Sequence, residues 1–188
     1  MGGMAAAPRQ SRGARGTLGD RWRRRLRWLL TAGPAIAWMA VIYFGSADPD
    51  SGERSGEWLR GFLGLWSREF ASSLTTLQLE ALNQGARKAA HFAEYLVLTL
   101  LLARWFAAGR SSQRARALLL APLVAVVYAL TDEAHQAIVP GRSASMMDVV
   151  VDSLGAVTGA AIGAIAHALH VLDRRLAACS SPAGQDGR

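Results

Sequence analysis

Cysteine is almost missing from this 188-residue chain: only Cys179 is present, in the polar C-terminal stretch. That excludes an intramolecular disulfide and leaves redox chemistry without a second thiol. Neither an H-E-x-x-H pair, a cysteine ligand set nor a glycine-rich phosphate loop occurs, which removes the familiar zinc and nucleotide frameworks. Asp132-Glu133-Ala134-His135 spells a helicase box, but without a phosphate loop and a preceding strand it has no such meaning. No metal or other cofactor is therefore expected. Acids are scarce at the N-terminus, where Arg9, Arg12, Arg15, Arg21, Arg23, Arg24, Arg25 and Arg27 face Asp20 alone. The net charge of +7 would point a soluble protein toward nucleic acid. No base-reading motif follows the arginines, so no nucleic-acid partner is expected.

The chain does have long apolar runs. Half of its residues are hydrophobic (51%), gathered into a few segments. A bilayer core of about 30 Å needs roughly 20 helical residues. Four segments qualify, at about 28–45, 89–108, 117–139 and 149–172. The first carries no charge, has Pro34 in its early turns, and ends on Tyr43-Phe44, as at a membrane interface. A cleaved signal peptide would also end in small residues such as Gly45 and Ala47; the length of the run and its aromatic end favour a span. The competing reading of the charged runs, as core helices of a soluble protein, is opposed by where their charges cluster.

Arginines in short loops orient such a bundle. The tail has eight, and the connection between spans two and three has Arg104, Arg110, Arg114 and Arg116 with no acid. Arg174-Arg175 open the C-terminal end, whereas 46–88 and 140–148 are mixed in charge. Both termini are thus expected to be cytoplasmic, in a multi-pass protein of the cell membrane. In the outer loop, Trp58, Leu59, Phe62, Leu63, Trp66 and Phe70 fall on one side of a helix, which reads as an amphipathic helix lying in the interface. A second helix, Leu74 to Lys88, is expected to run directly into span two. The expected architecture is an all-α membrane protein: a four-transmembrane-helix bundle with a short interfacial amphipathic helix in the first outer loop. A basic tail (1–27) precedes the membrane domain (28–172, outer loop 46–88) and a polar tail (173–188) follows it.

The polar residues within the spans carry the functional signal. Lys88, His91, Glu94 and Tyr95 share about a third of the circumference of span two, in its outer turns. Tyr128, Asp132 and His135 form a stripe at the outer end of span three, with Glu133 and Gln136 beside it. Asp148 and Asp152 occupy the outer turns of span four, and Arg142 stands in the loop before them. Gly155, Gly159 and Gly163 continue the stripe of the two acids, a small-residue pattern that admits a close neighbouring helix. These acids are therefore expected to face protein. Ionisable groups at membrane depth are expensive and mark functional sites by default; the competing reading is an ion-pair network pinning the helix ends. Ser143 and Ser145 read as turn residues.

The same residues resemble a known family. Arg87-Lys88-x-x-His91-x-x-Glu94-Tyr95, then Tyr128-x-x-x-Asp132-Glu133-x-His135-Gln136, then Pro140-Gly141-Arg142 with Asp148, Asp152 and Gly155, resemble the three sequence elements of the VanZ-like family. Phe44-Gly45-Ser46 resembles its short serine element. The resemblance spans roughly residues 35 to 170. It implies a small bacterial multi-pass membrane protein, some relatives being associated with teicoplanin resistance, and it brings no established reaction. Three functions follow for testing. The first is binding of an anionic lipid-linked cell-wall intermediate or a glycopeptide by the outer cluster, with Lys88 and Arg142 contacting phosphate or carboxylate. The second is a membrane-embedded hydrolase or phosphatase, with Glu94, Glu133 or Asp132 as base and His91 or His135 as acid. The third is an accessory membrane subunit whose polar residues lock the helices.

Overall fold

The computed structural model of the chain describes residues 18–48, 51–108, 113–140 and 144–180. Six helices account for almost all of them: α1 Leu18–Ser46, α2 Ser51–Trp66, α3 Arg68–Ser73, α4 Thr76–Phe106, α5 Arg114–Gln136 and α6 Met146–Ser180. No strand occurs among the described residues. Four helices, α1, α4, α5 and α6, are long and apolar enough to cross a bilayer. The chain is an all-α four-helix membrane bundle.

The helices outrun the apolar segments that mark them. At 1.5 Å per residue, the 31 residues of α4 reach about 46 Å and the 35 of α6 about 52 Å, against about 30 Å of hydrocarbon. Polar residues in water sustain a helix as well as apolar ones do in lipid. Thus α1 extends back through Arg21, Arg23, Arg25 and Arg27, all exposed, into the stretch expected to be a tail. α4 starts with a capping box, in which the Thr75 side chain accepts from Gln78 N and the Gln78 side chain accepts from Thr75 N. It then runs unbroken from the outer loop into the second span.

One expectation for the outer loop needs correction. A single helix from Trp58 to Phe70 does not form. α2 stops at Trp66, and Ser67 caps a new helix by accepting from Phe70 N at 3.1 Å. Serine competes well for a helix N-terminus because its hydroxyl satisfies an orphan N–H. The apolar face also divides: Trp58 (76% exposed), Phe62, Leu65 and Trp66 point outward, while Leu59 and Leu63 are half-buried. α2 rests on the start of α4, where Asn83 Nδ2 donates to Gly52 O at 2.9 Å.

Small residues set the helix spacing. A Cβ on Gly159 of α6 would lie 2.6 Å from Leu96 O of α4, and one on Gly155 would overlap the carbonyl of Phe92. The two backbones are therefore in direct contact. α5 uses alanine in the same way: Ala117, Ala121, Ala125 and Ala129 recur every four residues and are all buried. Large apolar side chains instead face outward, Leu119, Leu123 and Val127 on α5 and Val150, Leu154 and Val157 on α6, as lipid contact requires.

Pro34 introduces one local defect. Lacking an N–H, it cannot bond the carbonyl four residues back, which belongs to Leu30. Arg104 of α4 supplies the missing donor, with Nη2 at 2.8 Å from Leu30 O.

Candidate functional site

At the end of the bundle where α1 and α5 finish and α6 begins, the polar residues of the spans converge. Asp132 of α5, 4% exposed, accepts two hydrogen bonds at Oδ2. Ser46 Oγ donates from the last residue of α1 at 2.8 Å, and Gln136 Nε2 donates from one turn along α5 at 3.0 Å. A buried carboxylate is tolerable only when donors of this kind surround it. Glu133, equally buried, accepts from the backbone N–H of Ser145, which ties the end of α5 to the start of α6. Asp148 stands half-buried in the first turn of α6, where the helix dipole favours an acid.

His91 and Asp152 join α4 to α6. Nδ1 of the imidazole lies 3.4 Å from Oδ1 of the carboxylate, and Asp152 is 2% exposed. The two atoms are not aligned as a hydrogen bond, and neither has another partner among the described residues. With Nδ1 turned to the acid, Nε2 is the ring nitrogen left for a ligand. Tyr95, one turn deeper, is wholly buried; its hydroxyl and that of Thr99 have no partner among the described residues. Tyr128 Oη donates to Met39 O at 2.6 Å and Trp38 Nε1 to Glu94 O at 2.9 Å, clamping α1 onto α5 and α4. His135 turns toward α1, where its ring stacks on Tyr43 at 4.7 Å and 29°.

Beside this network is a cavity of about 240 Å³ between α1, α2 and α4. Ser46, Ser55, Arg87, His91 and Glu94 line it, with Ile42, Gly45 and Ala90. Three of the polar groups come from one face of α4, since Arg87, His91 and Glu94 are four and three residues apart. A larger groove of about 540 Å³ lies on α2, but Glu57 is its only ionisable residue among Trp58, Gly61, Phe62 and Leu65. The smaller cavity is where the chemistry lies. It presents a guanidinium, an imidazole, a carboxylate and two hydroxyls. Among the described residues, no group of three or more His, Cys, Asp or Glu is placed to hold a metal ion.

Most of the residues expected from the sequence are brought together, but not all. His91, Glu94, Tyr95, Asp132, Glu133, Gln136, Asp148 and Asp152 occupy one level of the bundle, and His135 stands at its α1 side. Lys88 does not join them; it is exposed and has no hydrogen bond or ion pair among the described residues. A flexible, strongly hydrated ammonium stays in water unless an acid is offered, and no carboxylate among the described residues stands within ion-pair distance of it. Arg87, one residue earlier, takes the place expected for Lys88. Its spacing of four from His91 and seven from Glu94 was the available signal. Ser46 was likewise outside the expected site, although the serine element contains it. Arg142 lies outside the described residues.

No curated protein and no solved structure matches the chain. The profile of one family, VanZ/LLP1, matches residues 32–167, a stretch that runs from the first span to the fourth and contains every residue of the cavity and the buried network. With well over half its length matched, this chain of buried carboxylates and glycine-packed spans belongs to the VanZ/LLP1 family.

Proposed function

We propose that the protein binds the anionic head group of a membrane-borne ligand in the cavity between α1, α2 and α4. The observation that carries this is the joint presence of Arg87 and His91 in its wall. Arg87 offers a planar fork for phosphate or carboxylate. Asp152 behind His91 pairs with the imidazolium and aims it, so the second positive group is held by a buried acid rather than by a flexible stem. Asp132 takes the Ser46 hydroxyl proton and Gly52 O that of Ser55, so both hydroxyl oxygens face the ligand as acceptors. Glu94 accepts from a hydroxyl or amide of the ligand. An anion carrying sugar or peptide donors fits that set. A lipid-linked cell-wall intermediate fits, and so does a glycopeptide antibiotic; the protein then acts in the bacterial cell envelope and alters glycopeptide, including teicoplanin, sensitivity. In this reading both termini are cytoplasmic, the cavity opens on the outer side, and the exposed apolar face of α2 lies in the outer interface.

The test is mass spectrometry of lipids retained by the purified protein. Arg87→Ala removes a charge-assisted contact of about 1.5 kcal/mol, so retention falls by about tenfold, and Arg142→Ala also lowers it. Lys88→Ala leaves retention unchanged. Equal retention by wild type and Arg87→Ala refutes the proposal. A second reading, a membrane-embedded hydrolase, is favoured by one feature: His91, backed by Asp152, shares the cavity wall with Glu94, an acid–base arrangement. It requires Glu94-dependent release of phosphate from a polyprenyl phosphate.

A further inference from the structure

At the opposite end of the bundle, α5 and α6 run antiparallel in a register that their contacts fix. The Cβ position of Gly163 lies 3.0 Å from Leu118 Cδ2. One turn farther along both helices, Arg114 Nη1 meets His167 Nδ1 at 3.4 Å, half-buried. His170 and Arg174 follow His167 by three and seven residues, within about 60° of one helix face at 100° per residue. α5 begins at Arg114, so both residues lie beyond its end, and both are exposed.

Four basic side chains thus share one groove, with the single acid Asp173 at its edge. Among the described residues, the ion pairs are Arg54 with Asp48 and His91 with Asp152, neither of them here. Asp173 borders this face, about 60° from His170, but is turned about 100° from Arg174 and about 120° from His167, which meets Arg114. Arg114 has five N–H donors and, among the described residues, a hydrogen-bonding contact to an imidazole nitrogen alone. Bases held this close, with donors to spare, favour an anion next to them. The apolar run from Ala117 to Leu120 starts within one turn of Arg114, which sets the groove at the depth of lipid head groups rather than in open water.

We infer that this groove is a second site, separate from the cavity at the other end, and that it binds the phosphodiester of an anionic phospholipid in the adjacent leaflet. Arg114 holds the phosphate with its fork, while His170 and Arg174 reach it from the water side. The contribution is about 1 kcal/mol per arginine, or about fivefold in affinity each.

The full chain, purified in detergent, is offered equal amounts of phosphatidylglycerol and phosphatidylcholine, and bound copies are counted by native mass spectrometry. Wild type retains phosphatidylglycerol preferentially. Arg174→Gln, at an exposed position that leaves folding intact, reduces that preference about fivefold, and Arg114→Gln with Arg174→Gln about thirtyfold. Thermal midpoints in phosphatidylcholine alone show whether the double variant is folded; the single variant decides if it is not. Equal preference in wild type and Arg174→Gln overturns the inference. So does displacement of phosphatidylglycerol by excess inorganic phosphate, which would make the site one for a soluble anion.

Discussion

Replacing Gly155 or Gly159 by alanine should weaken the bundle, although alanine is the better helix former. A Cβ at Gly159 would stand 2.6 Å from Leu96 O and 3.2 Å from Thr99 Cβ. Ordinary contact begins near 3.5 Å, so α6 has to withdraw from α4 by roughly 0.9 Å, and at Gly155 by more. The obstacle at both positions is a backbone carbonyl, which cannot rotate aside as a side chain can. Overpacking of this kind costs about 1–3 kcal/mol, against about 1 kcal/mol gained by removing a helical glycine. The expected net loss is about 1–2 kcal/mol at Gly155 and somewhat less at Gly159. At roughly 2–4 °C per kcal/mol for a chain of this size, Gly155→Ala lowers the thermal midpoint of detergent-purified protein by about 2–8 °C. Gly33 and Gly85 have nothing within 4 Å of a Cβ, so alanine there leaves the midpoint unchanged or raises it. Gly163 meets only the flexible ends of Leu118 and Leu100 and should fall between. The reasoning is refuted if Gly155→Ala is as stable as Gly33→Ala, because the helix spacing would then not depend on backbone contact.

Two further outcomes follow from the bonding. Arg104→Ala leaves Leu30 O without a donor and should cost about 1–2 kcal/mol; combined with Pro34→Ala, which restores the N–H, the loss should be smaller, and equal losses in both backgrounds on thermal denaturation would discount the repair. Asp152→Asn keeps the volume but removes the charge that aims His91, so it should accumulate normally in membranes while losing lipid retention; failure to accumulate would favour the accessory-subunit reading, in which these residues only lock the helices.

The contrast between Arg87 and Lys88 shows what a sequence of this kind makes legible. Apolar runs locate the spans because lipid tolerates little else, and polar residues inside those runs reveal the polar end of the bundle for the same reason: each needs a partner. Helical spacing alone places both cations near His91. Only packing separates them, since α2 covers the Arg87 side and gives that guanidinium a wall, whereas Lys88 meets none. Hydropathy is also silent where helix and water are compatible, so it misses the extension of α6 to Ser180 and of α1 back to Leu18. It cannot see that Ser67 ends one helix and starts another, because an amphipathic pattern continues across a cap without interruption. The alanine stripe of α5 is hidden for a related reason: small apolar residues suit both a lipid face and a close helix contact, and only the partner helix tells them apart. Glycine on α6 is less ambiguous, since a helix that accepts its propensity cost at every fourth position gains something from the missing side chain, here the approach that brings Asp152 to His91.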